Sequence, residues 1–103
     1  MHFVIYALDR PGAPDLRLKT RAAHRDYLHR GDSPVRIKVA GPLLDTDGTT
    51  MVGSLIVVEA ERIEEVEAFS AQDPYRLAGL VGSVAIRPWN WTTGNPDQER
   101  AGE

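Results

Sequence analysis

The chain has 103 residues, 42% of them apolar and 26% charged, a formal charge of −3 and no cysteine. That length allows one hydrophobic core and is short for two, and the lack of cysteine excludes thiol catalysis, disulfides and cysteine-ligated zinc or iron–sulfur centres. An acidic balance argues against a nucleic-acid partner, whose phosphates need a basic surface, and the absence of an n-region or a long apolar run predicts a cytoplasmic protein with no membrane span.

In chain order, Phe3 to Leu8 reads as a first strand, ended by the turn residues Pro11, Gly12 and Pro14. Pro14 and Asp15 suit the start of a helix running to about Arg30, because proline lacks only an N–H that would have no partner there. Val35 to Leu44 and Met51 to Glu59 read as two strands joined across Asp45-Thr46-Asp47-Gly48-Thr49, whose Asp-Gly step favours a hairpin. Ile63, Val66 and Phe69 recur at helical spacing among glutamates, which predicts a second amphipathic helix. Asp73 and Pro74 read as the cap and first residue of a short third helix, Tyr75 to Leu80, closed by Gly82. Ser83 to Trp91 is the last strand. Residues 1–91 form the predicted domain, and the polar segment 92–103 a C-terminal tail.

This order predicts an α+β fold of the ferredoxin-like βαββαβ type with an antiparallel four-stranded sheet. The first and third strands are apolar on both faces, whereas two helices cover only one, so a second copy is expected on the open face.

The ordered set Ala40-Gly41-Pro42-Leu43-Leu44, Gly53 through Glu59, Asp73-Pro74-Tyr75 with Ala78-Gly79-Leu80, and Ile86-Arg87-Pro88-Trp89 resembles the YCII-related (YciI-like) family. The likeness runs from about Phe3 to Trp91. It implies a dimeric ferredoxin-like α+β barrel, and an active site containing a histidine of the first helix and the aspartate of the Asp-Pro-Tyr segment, which fall on His24 and Asp73. A dehydrochlorinase of aromatic degradation is the family's clearest enzymatic example, so the resemblance leaves the substrate open.

On a helical wheel Leu16, Thr20, Ala23 and Tyr27 form the inward stripe of the first helix, with His24 and Leu28 at its edge. An imidazole there suits proton transfer; the alternative is a half-buried histidine packed beside Tyr27. Asp73 is explained by capping alone, and both roles can coexist if one oxygen caps while the other orients His24. Tyr6, Arg21, Gly41, Ser54 and Tyr75 are the expected substrate-binding residues: Tyr6 and Ser54 as hydrogen-bonding groups, Gly41 for close approach of a ring, Tyr75 at the mouth. Arg17 and Arg21 favour an anionic or phenolate substrate if they border the cavity. Trp89 and Trp91 read as dimer packing on the last strand.

No metal is expected. The segment Asp45-Thr46-Asp47-Gly48 lacks the flanking acids of a calcium loop, since Leu43 and Ser54 stand in their places. No cofactor is indicated either, because phosphate-binding glycine loops and nucleophile elbows are missing. The expectation is a homodimeric, cofactor-independent acid–base enzyme of lyase or isomerase type, using His24 and Asp73 on a small cyclic or aromatic ligand. A non-catalytic small-molecule-binding or accessory protein is the alternative.

Overall fold

The computed structural model describes residues 1–97, so the second half of the expected tail, residues 98–103, lies outside the described residues. Seven elements follow in order: β1 (His2–Asp9), α1 (Pro14–Leu28), β2 (Arg36–Leu44), β3 (Met51–Glu59), α2 (Ile63–Ala71), α3 (Pro74–Leu77) and β4 (Val81–Trp89). The strands form one sheet in the order β2-β3-β1-β4, every neighbouring pair antiparallel. This is the expected ferredoxin-like α+β arrangement.

Strand alternation decides what each face holds. Phe3, Ile5, Ile56 and Val58 point to the helix side and join Val66 and Phe69 of α2 in the buried core, with Val84 and Ile86 of β4 beside them. Tyr27 ties α1 to α2 by stacking on Phe69 at 4.8 Å between ring centroids and donating its hydroxyl to the Phe69 carbonyl at 2.7 Å. Burial raises the pKa of that phenol, so it serves as a donor. On the other face Tyr6, Leu8, Leu55 and Trp89 remain exposed.

Turns follow their residues. Gly48 adopts φ +76° between β2 and β3, a conformation that costs glycine little, while Asp47 accepts from the Thr49 and Thr50 amides. The expected hairpin is therefore present.

Some boundaries differ from the sequence expectation. The third helix is a single turn that stops at Leu77, because Gly79 turns to φ +78° and Leu80 is needed as a fully buried core residue. Gly82 then lies inside β4, which starts at Val81 and ends at Trp89. Trp91 is beyond the strand, stacked on Trp89 at 5.5 Å and edge-on to His2.

Candidate functional site

A cavity of about 730 Å³ opens between α1 and the β2–β3 side of the sheet. Along one wall run Arg17, Arg21, His24 and Arg25 of α1; Ser54 and Ile56 of β3 form the floor, and β2 from Arg36 to Pro42 the facing wall. Its volume falls in the range of about 300–1,000 Å³ usual for drug-sized ligands.

Helix α1 presents a polar inner stripe. Its two buried residues are Arg17 and His24, whereas Ala23, placed inward by the wheel, is exposed. The wheel is thus corrected by about one position: His24 sits at the centre of the stripe. An apolar count misses this because the inward groups are a guanidinium and an imidazole, each satisfied by a partner far along the chain.

For His24 that partner is Asp73. The imidazole Nδ1–H donates to Asp73 Oδ1 at 2.8 Å, and both residues are 7% exposed. The same Oδ1 accepts from the Tyr75 amide at 2.9 Å, so the capping and orienting bonds meet on one oxygen instead of dividing between two. Local sequence places it there: Gln72 caps α2 after Ala71, Asp73 leaves the helical region at φ −58°, ψ 131°, and Pro74 begins the next turn without needing an amide partner. An ionised carboxylate only accepts, so Nδ1 carries the hydrogen. Nε2 has no hydrogen-bond partner among the described residues, on a side chain that lines the cavity.

Tyr75 stacks on His24 with ring centroids 4.0 Å apart and 17° between planes, and the Arg17 guanidinium lies 4.5 Å from the Tyr75 ring centroid. Burial raises the Tyr75 pKa against the opposing pull of Arg17 and Arg21, which leaves a neutral phenol at neutral pH. Arg17 forks onto Asp9 through Nε at 2.6 Å and Nη2 at 2.9 Å, and Nη2 also donates to Ser54 Oγ at 3.0 Å. Burial opposes its charge, but the hydrogen bond and the field of Asp9 prevail and raise its pKa.

Six positions expected from the sequence therefore gather in one place: His24, Asp73 and Tyr75 in contact, with Arg21, Gly41 and Ser54 on the walls. Gly41 contributes bare backbone, and a Cβ there would meet nothing within 4 Å. Tyr6 is a correction. It pairs with Leu55 on the opposite face, 44% exposed, because strand alternation sends Ile5 to the helix side and Tyr6 away from it. Arg25, Arg36, Lys38 and Ile56 border the cavity without having been expected there. Arg25 could have been found as the continuation of an i, i+4 series from Arg17 and Arg21; the β2 residues had no local signal. His29 closes α1 and also borders the cavity, whereas His2 lies by Trp91. Among the described residues no group of three or more His, Cys, Asp or Glu is placed to hold a metal, and no helix is long and apolar enough to cross a membrane.

Three comparisons bear on this geometry. The profile of the YCII-related domain matches residues 1–90. Protein YciI of Escherichia coli O6:H1 is 32% identical over 94 residues, covering 86% of this chain and 96% of its own, and an uncharacterized protein of Haemophilus influenzae is 30% identical over the same shares. Among solved structures, 5-chloro-2-hydroxyhydroquinone dehydrochlorinase (TftG) of Burkholderia phenoliruptrix AC1100, in complex with 2,5-dihydroxybenzoquinone, superposes with a TM-score of 0.76 at 38% identity, covering 87% of this chain and 94% of that one.

Proposed function

The chain belongs to the YCII-related domain family, and from that premise we propose that it is a small-molecule enzyme performing proton transfer, in an elimination or isomerisation, on a small cyclic or aromatic compound. The observation that carries the reading is a buried His24–Asp73 pair whose second imidazole nitrogen is left for a ligand at the cavity wall. A relative of 38% identity whose name states a dehydrochlorinase of a hydroxylated ring supports the substrate class.

The roles follow from the bonding. Asp73 holds Nδ1–H, which fixes the tautomer and leaves the Nε2 lone pair as the base. As Nε2 accepts a proton from the substrate, the imidazolium forms beside a carboxylate already aligned with it. In an elimination the electron pair of the broken bond moves into the ring and expels the leaving anion, and His24 later releases its proton to solvent. Tyr75 holds the imidazole plane by stacking, and Arg17, engaged by Asp9 and Ser54, keeps positive charge near the departing anion. His24 is a catalytic residue in this scheme. Asp73 is a positioning residue.

The working form is proposed to be a homodimer paired through the open sheet face, where Tyr6, Leu8, Leu55 and Trp89 are exposed. The reaction is tested by offering the purified protein chlorinated and hydroxylated single-ring compounds, beginning with 5-chloro-2-hydroxyhydroquinone, and following chloride release and ring absorbance. Turnover of one of them is the expected result. Tight binding across the set with no turnover would replace the enzyme by a binding protein that uses the same cavity.

A further inference from the structure

The cavity walls carry Arg17, Arg21, Arg25, Arg30, Arg36 and Lys38 and no aspartate or glutamate, in a chain whose net charge is −3. Half of its twelve lysines and arginines thus line one space. Arg17, Arg21 and Arg25 follow at i, i+4 and i+8 on α1, where like charges repel and weaken a helix unless an anion offsets them. Arg17 has Asp9 as its offset, and across the cavity Arg36 has Glu59 and Lys38 has Asp97. Arg21 and Arg25 have no ion pair among the described residues. They flank His24 on the same wall.

The cavity is also long. Its β2 wall from Arg36 to Pro42 spans about 20 Å at the strand rise of about 3.3 Å per residue, more than a single ring fills. We propose that the space beside His24 is an acid-binding lobe, and that the substrate is a ring compound bearing an acidic arm whose oxygens engage the Arg21 and Arg25 guanidinium groups while the ring lies against His24 and Tyr75. Guanidinium forks match a carboxylate with two parallel bonds, and the exposed Arg21 and Arg25 side chains are free to supply them at the cavity wall. This inference rests on the proposed substrate class and narrows it from a ring to a ring acid.

The test is a binding comparison, independent of turnover. Titration calorimetry in 20 mM and 150 mM salt would measure 2,5-dihydroxyphenylacetate and its methyl ester, which share a ring and differ in one charge. The acid is expected to bind about tenfold more tightly than the ester at low salt, since one charge-assisted contact is worth about that factor, and less so at high salt. In the double variant R21Q/R25Q, both sites being exposed and the fold therefore undisturbed, that preference falls below about threefold. Equal affinity of acid and ester, no measurable binding of the acid, or an unchanged preference in the double variant would overturn the acid-binding lobe. None of these depends on whether His24 transfers a proton, which is read separately from turnover of uncharged rings.

Discussion

At Asp73 a single oxygen holds both the Tyr75 amide and the His24 imidazole, so its geometry and its charge can be separated by one substitution. Asparagine keeps an oxygen in that position and is a good helix cap. Asp73→Asn is therefore expected to leave the thermal midpoint within a few degrees of wild type, while turnover of a converted substrate falls at least about tenfold because no carboxylate faces the forming imidazolium. Alanine is the contrast. It removes the cap as well, at a cost of about 1 kcal/mol, and leaves a buried imidazole N–H without its acceptor. Equal turnover in wild type and Asp73→Asn would leave capping as the whole role of this residue.

At the scale of elements, α1 is held by polar groups as much as by apolar ones, and its buried Arg17 has the highest stake. Arg17→Met leaves Asp9, a side chain only 10% exposed, without its partner, and is expected to cost about 3 kcal/mol in thermal unfolding. Pairing that change with Asp9→Asn should recover part of the loss; if the single variant melts like wild type, the ion pair is not what anchors α1. The β2–β3 hairpin supplies an acid-sensitive site. Hydrogen bonds from Thr50 and Thr49 lower the Asp47 pKa from 3.8 to about 2, so the stabilisation is complete above about pH 4 and is lost as pH falls through about 2. Exchange of the Thr49 and Thr50 amides should quicken in that window, and in Asp47→Ala it should already be quick at pH 5. These elements differ in how legible they were. The Asp-Gly turn, the Ile63, Val66 and Phe69 stripe and the Asp73-Pro74 start are local signals, and they sit where the sequence places them. The inward face of α1 and the side on which Tyr6 emerges depend on contacts between distant segments. Strand β1 is apolar on both faces, so alternation alone cannot say which face the helices cover. Ser54 and Tyr75 were legible as polar groups in an apolar setting, but the hydrogen bond from Arg17 to Ser54 spans 37 residues of sequence and leaves no periodic trace.

Across the whole molecule the charges are sorted: arginines line the cavity, while the glutamates of α2 lie on the other helix. Apolar side chains also gather on the sheet face opposite the helices, with Tyr6, Leu8, Leu55 and Trp89 exposed. A homodimer through that face predicts a twofold mass in sedimentation at micromolar concentration and a thermal midpoint that rises with concentration. Leu55→Glu, which puts a charge at its centre, should shift the equilibrium to monomer; a stable, well-folded wild-type monomer at that concentration would remove the dimer. The proposed chemistry depends above all on His24 taking the proton. Its most direct test is to compare wild type and His24→Gln on the ring compound that the wild type converts, measuring affinity by calorimetry and the chemical step by single turnover. A general base contributes about 10²–10⁴-fold, so His24→Gln is expected to bind within about threefold of wild type and to react at least about a hundredfold more slowly. Single-turnover rates within a few fold of wild type would contradict it.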